Sequence, residues 1–249
     1  MRVLLRVVAG LAVLAAASVL LAPAALLDAP LAAYTGNRLH LLDARGVWWH
    51  GEGTVASSDG AARVPLAWDV AFAPLLMGKL VVALRATGGD ATPAGTVSIA
   101  NGIVDVRGLH AVVPAALVAA LVPAAKAVAL QGDIELRAPS FTWRGSAAGG
   151  TADATWTHAR VGAGPWVVDL GQLIAKGVPA GDGIAVTVHG TGGDVTIEGT
   201  LDTHAGATSA SLALAPAPGA SEAVRTMLPL LGPVDAAGRV AIAWRSDRR

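Results

Sequence analysis

Past residue 38 the chain alternates apolar and polar positions over short runs, and glycine, asparagine, aspartate and serine break the runs apart. A period of two is the pattern of strands half-buried on a sheet. Leu39, Leu41 and Asp43 fall on one side of a first strand, His40, Leu42 and Ala44 on the other. Ser57–Ala62 reads as a polar hairpin connection, Val64–Phe72 as a strand, Ala73–Gly78 as a tight apolar turn and Lys79–Arg85 as another strand. Gly88–Asp90 marks a turn, and Asn101-Gly102 divides 96–106 into two strands, since that dipeptide suits a two-residue hairpin. Leu130–Trp143 reads as a strand pair, followed by a strand at Gly149–His158; Val161–Leu170 then places Trp166 after a Gly-Ala-Gly-Pro turn. Ile184–His189 and Val195–Leu201 form the cleanest hairpin, and Ser211–Ala215 and Arg239–Trp244 complete the set.

Three segments break the alternation. Arg2 and Arg6 precede an uncharged run from Val7 to Leu27, long enough to cross a bilayer core as a helix of about 20 residues. Basic residues before it and Asp28 after it put the N-terminus in the cytoplasm and the remainder outside. A cleaved signal peptide competes with that anchor, because Leu21-Ala22-Pro23-Ala24 offers small residues for processing. Val112–Leu130 carries only Lys126 and so raises a second span, but Pro114 and Pro123 point instead to a short helix over Pro114–Leu121 on the sheet. Ser221 and Glu222 open a helix that runs to Leu231, where Gly232-Pro233 stops it.

The expected organisation is an anchor at 1–28 and a β-rich domain at 29–249. Strand, Trp-x-Gly turn, strand and Trp recur in both parts of that domain, each followed by a short helix. The domain therefore reads as two related halves, 36–125 and 126–249, in one large, curved, largely antiparallel sheet.

The densest stretch is Gly46-Val47-Trp48-Trp49-His50-Gly51-Glu52-Gly53, answered by Pro65-Leu66-Ala67-Trp68. Glycines inside strands admit a bend or a close backbone, and tryptophans beside them supply the missing packing area. Each indole N–H needs a partner, which favours a place at a sheet surface over a dry core.

This stretch resembles the type II secretion system protein N family, also called general secretion pathway protein N. The resemblance rests on Gly46, Trp48, Trp49, Gly51 and Gly53 after a Leu-x-Leu strand, then Pro65, Leu66 and Trp68. It extends in order through the anchor, the Leu-Pro helix, the Trp-rich middle and the closing Leu-Leu-Gly segment. It implies a single-pass inner-membrane protein held by residues 7–27, with a mainly β periplasmic domain bearing a few short helices. It also implies work beside other type II secretion components in exporting folded proteins across the outer membrane.

Composition narrows the chemistry. Charged residues make up 14% and the net charge is zero, so no general attraction to nucleic acid is expected. Cysteine is absent, which removes thiolate catalysis, thiolate metal sites and disulfides. No Gly-x-Ser-x-Gly, P-loop, dinucleotide or His-Glu-x-x-His motif occurs. His50, His110, His158, His189 and His204 share no ligand spacing. The nearest cluster is His189, Asp194, Glu198, Asp202 and His204 around one hairpin, where a solvated face is the simpler reading. The expectation is a protein without catalytic residues, cofactor, metal or small-molecule substrate. Two rivals stand beside it: a lipid-handling envelope protein of AsmA type, and an anchored enzyme with an unrecognised site.

Overall fold

The computed structural model describes residues 18–87, 93–121, 128–145, 147–163, 166–181, 183–204 and 207–246. Its strands are β1 (Leu39–Val47), β2 (His50–Ser57), β3 (Arg63–Val70), β4 (Leu80–Ala86), β5 (Pro93–Ala100), β6 (Ile103–Pro114) and β7 (Ala129–Arg144). There follow β8 (Ala147–Ala163), β9 (Trp166–Ala180), β10 (Gly183–Gly192), β11 (Val195–His204), β12 (Ala207–Pro216) and β13 (Val240–Ser246). All 13 lie in one antiparallel sheet in chain order, each bonded to the strand before and after it. The sheet is open: β1 and β13 are its two terminal strands and share no ladder.

Among the described residues, and beyond the helical turn at Ser18–Leu20, four short α-helices sit on this meander: α1 (Asp28–Thr35), α2 (Phe72–Leu76), α3 (Ala115–Leu121) and α4 (Glu222–Met227). Gly36 ends α1 in the left-handed conformation (φ 63°) that a side chain disfavours. Ser221 caps α4 by accepting from the Val224 N–H at 3.4 Å.

Register makes the sheet two-faced. One row of directly opposed residues runs Val113, Ile134, Trp156, Leu173, Gly190, Ile197, Leu214 and Val240 from β6 to β13. The next row on that face runs Ala111, Leu136, Ala154, Ala175, Val188, Gly199, Leu212 and Ile242. Every member of both rows is apolar or glycine. The opposite face carries His110, Arg137, Asp153, Lys176, Thr187, Thr200 and Ser211 along one such row. Gly190 is small for a reason: a Cβ there would stand 3.2 Å from both Leu173 and Ile197.

Among the described residues, helices cover the apolar face at its two ends. At the C-terminal end α4 lays Val224 on Val195, Ile197 and Val240, the last only 1% exposed. At the other end α3 touches β2, β6 and β7, and Leu117 is buried with Leu39 and Ala62. A third cluster, of Ala24, Leu41, Trp68 and Val70, gathers Leu27, Leu31, Trp48 and Trp49 at the N-terminal corner.

Several elements differ from the sequence reading. Val64–Phe72 is a strand only to Val70, and the apolar turn after it is the helix α2, opened by Phe72. Leu130–Trp143 is not a pair of strands but the middle of β7, which runs 16 residues. Pro139 sits in a bulge between Arg137 and Ser140, where a strand tolerates a missing N–H. Likewise β8 continues through His158 by a second irregularity, with His158 at φ 51°, and β9 continues to Ala180 past Gly171 at φ 69°. The helix expected from Ser221 to Leu231 is α4 followed by a 3-10 turn, Leu228–Leu231, because Pro229 cannot donate within an α-helix. The candidate second span is β6, α3 and the start of β7 where described.

Among the described residues no helix is long and apolar enough to cross a membrane. The expected anchor lies mostly outside them; of its described part, Ser18–Leu20 is helical, Pro23 bridges Val47 and Ala24–Leu27 is a 3-10 turn, so the described end of the expected span is not a continuous helix. The Gly88–Asp90 turn also lies outside them. The curved sheet of the sequence reading is here an open one, with bending introduced locally at its bulges.

The turn into β13 depends on Asp235. Its carboxylate accepts from the Ala237 and Arg239 N–H groups, each at 2.9 Å, and from Arg239 Nε at 2.8 Å. The Arg239 backbone N–H, then its side chain, hold the acid below the usual aspartate range. A folded form that binds its proton less tightly gains stability above the ordinary range, about 4, and loses it as pH falls further. Asp235→Asn is expected to lower the urea midpoint at pH 7, with the deficit shrinking as the titration passes below that range. Urea melts of both proteins across pH 3–7 check this.

Candidate functional site

Two features of the fold could serve a partner: the tryptophan corner and the exposed end of the sheet. The corner is built from the β1–β2 hairpin. Trp48 and Trp49 are its turn, between Val47 and His50, and Gly46 faces Gly51 one step back. Gly46 takes φ 87°, which leaves its side of the hairpin open to the His50 carbonyl. Gly51 lies opposite Trp68 on β3, and a Cβ on it would stand 2.8 Å from the Trp68 ring. The ring lies over bare backbone, and Trp68 is 7% exposed. Gly53 leaves room for Leu41 in the same way, since a Cβ would meet Leu41 Cδ1 at 2.9 Å.

Every indole N–H of the corner finds a carbonyl. Trp68 Nε1 donates to the Trp48 carbonyl at 2.9 Å. Trp48 Nε1 donates to the Val19 carbonyl at 2.7 Å and Trp49 Nε1 to the Leu20 carbonyl at 2.9 Å. The Trp48 backbone N–H adds a bond to Ala22, and Pro23 bridges Val47. The family-motif tryptophans therefore clasp the end of the helical turn at Ser18–Leu20. The helix ends there: the Val19 carbonyl accepts from the Ala22 N–H at 3.4 Å as well as from the Trp48 indole, and the Leu20 carbonyl takes the Trp49 indole.

The remaining motif residues support this clasp. Leu66, opposite Gly53, packs into the corner cluster. Pro65 pairs with Thr54, and its carbonyl accepts from the Thr87 N–H beyond the last β3–β4 pair. Its absent donor faces that same side, where the ladder has ended. Sequence reasoning missed two members of the corner. Asp28 accepts from the Leu41 N–H at 2.8 Å, tying the start of α1 to β1. Phe72 stands edge-on to Trp49 at 4.9 Å between ring centres, locking α2 to the turn. An acid after an apolar run and a Phe before Ala-Pro were the available signals.

The polar groups do not converge. His50 Nδ1 lies 2.9 Å from Asp69 Oδ2, across the β2–β3 pair, with Arg85 4.0 Å from the same oxygen. His110 and Arg137 both bond Glu135, whose carboxyl is held below the usual range chiefly by Arg137 and then by His110. These are exposed ion pairs on the polar face. The hairpin cluster is dispersed: His189 faces Glu198, Asp202 faces Ala185, and Asp194 accepts from the Asp169 N–H at 3.4 Å. The His204 side chain lies outside the described residues. Among the described residues no group of three or more such side chains could hold a metal ion. Under α4 lies a cavity of about 240 Å³, lined by Val168, Leu170, Ile197, Leu214, Leu228 and others, all apolar.

Trp68→Ala is expected to cost about 3–5 kcal/mol, the range for emptying a buried aromatic site. Trp49→Phe keeps the ring beside Phe72 and loses one N–H bond, so about 0.5–1.5 kcal/mol is expected. Urea denaturation of the full chain in detergent checks the order of the two.

The family profile described as Type II secretion system (T2SS), protein N matches residues 37–243. No curated protein and no solved structure matches the chain. The matched span opens just before β1 and closes within β13, taking in β1 to β12, the start of β13 and all eight residues of the tryptophan motif. On that coverage the chain belongs to the type II secretion system protein N family.

Proposed function

We propose that this protein is a non-enzymatic component of the type II secretion system, anchored in the inner membrane by residues 7–27, with residues 29–249 in the periplasm. It holds another secretion component on the open edge of its sheet. The observation that carries this reading is the inequality of the two sheet edges. The outer side of β1 is occupied by the chain itself, through the Pro23–Val47 bridge and the Asp28–Leu41 bond. β13 ends the sheet order, and only its first residues are covered, by Pro233 and Val234. From Ile242 onward no described strand pairs with its outer side, and Trp244 stands half-exposed beside it. Such an edge is a template for an added strand.

A sheet that bends over α3 also belongs to this reading. Its support is that the 7 residues of α3, about 10 Å of helix, touch both β2 and β7. Five strand spacings of flat sheet would span about 24 Å.

A second reading, lipid handling, is favoured by one observation: the two apolar rows from β6 to β13 are only half-buried between α3 and α4. Ala175→Glu would place a charge amid them. If the face carries lipid, native mass spectrometry should find lipid on the parent protein and none on this variant.

The edge reading has its own test. The Ala241 N–H donates to Pro233, away from β12, so by alternation the Ala243 N–H also points outward and the Ile242 N–H inward. Ala243→Pro is therefore expected to leave the thermal midpoint nearly unchanged while reducing secretion and recovery of the partner component. Ile242→Pro removes a ladder bond and should destabilise the domain by about 3 kcal/mol. Undiminished secretion by a stably produced Ala243→Pro protein would exclude the edge as the working surface.

A further inference from the structure

We infer that helix α2 and Met77 after it form a membrane-contacting foot, inserted among phospholipid headgroups and upper acyl chains of the leaflet beside the domain. The inference rests on the anchor reading above and adds a second, independent point of membrane contact. Helix α2 has two sides. Phe72 packs on Trp48 and Trp49, and Leu75 joins the corner cluster with Trp68. Leu76 and Met77 point away from it and are 91% and 83% exposed. No charged residue occurs from Val70 to Gly78, and Lys79 follows.

Isolated exposed apolar side chains are ordinary on proteins, so position decides the matter. These two stand on the structural corner that holds the end of the apolar N-terminal run. The indoles of Trp48 and Trp49 bond the carbonyls of Val19 and Leu20, and Phe72 of α2 lies against both rings. Around the same exit Leu21 and Leu26 are also exposed. The helical turn ends at Leu20, and within three residues Pro23 bridges Val47 of β1 while Ala24 is buried in the corner. The corner therefore follows the apolar run directly, with no spacer to lift it away from a bilayer that the run would enter. Tryptophans at that depth match the indole preference for the headgroup region. Lys79 can extend its ammonium outward while its stem stays on apolar surface. Two contacts, one helix and one foot, would fix the tilt of the sheet relative to the membrane, where an anchor alone would leave it free to swing.

The chain contains no cysteine, so single cysteines report one place each. Full-length protein carrying Met77→Cys or Leu76→Cys, labelled with the fluorophore NBD, would be reconstituted into phosphatidylcholine vesicles. Brominated phosphatidylcholine serves as quencher. Leu14→Cys reports the anchor, and Ser211→Cys, on the polar face of β12, reports water. The expected result is blue-shifted, strongly quenched emission at 14, 76 and 77 and none at 211. Because the side chains at 76 and 77 are exposed, labelling there should leave the thermal midpoint unchanged. Quenching at 14 with water-like emission at both 76 and 77 would overturn the foot and leave the anchor standing. Water-like emission at 14 would overturn the anchor reading and the foot with it.

Discussion

A long meander made chiefly of alanine, glycine, valine and leucine depends on register. Each strand of this sheet bonds only its neighbours in sequence, and a slip of one residue would turn every apolar side chain to the polar face. The two apolar rows from β6 to β13 specify the alignment collectively. Ile134 can face Trp156, and Leu173 can face Ile197 across the gap at Gly190, in one register only. Neighbour-only pairing also keeps loop-closure costs small, since each hairpin can form on the one before it.

The helices act at the places where register alone leaves apolar surface uncovered. Helix α4 buries Val195, Ile197 and Val240 near the last strand, and α3 buries Leu39 near the first. Between them the sheet relies on backbone bonds and half-covered side chains. That central span is the part of the molecule with surface left for something else to cover, whether strand or lipid.

Much of the fold was legible because its signals were local. The Asn101-Gly102 turn, with both residues at positive φ, and the Ile184–Leu201 hairpin follow from short-range pattern. The three longest strands were obscured where they bend: Gly132, Pro139, Gly150 and Gly171 are of the types that also make turns, yet each lies inside continuing pairing. A bulge needs the same residues as a turn, and only the partner strand tells them apart. At the corner, the packing role of Trp68 and the small size of Gly51 were readable from their spacing. The indole partners were not, since the carbonyls of Val19 and Leu20 are 29 residues away and present no side-chain signature.

That distance explains why tryptophan belongs at the corner. A phenylalanine would fill the same space against Phe72 but could not donate, so the Leu20 carbonyl would lose its indole donor and the Val19 carbonyl would be left with the Ala22 N–H. Glycine at 46 and 51 has its own reason in the hairpin: a Cβ at 46 would meet the His50 carbonyl, and one at 51 the Arg45 carbonyl and the Trp68 ring. The motif is thus a joint between the N-terminal apolar segment and the sheet, built from polar bonds inside an apolar setting. Its position places the closed edge of the sheet beside that segment, and twelve strand steps separate it from the open edge at β13. On the reading proposed above, this arrangement would put the pairing surface at the far end of the sheet from the point of attachment, where a partner could reach it without competing with the joint.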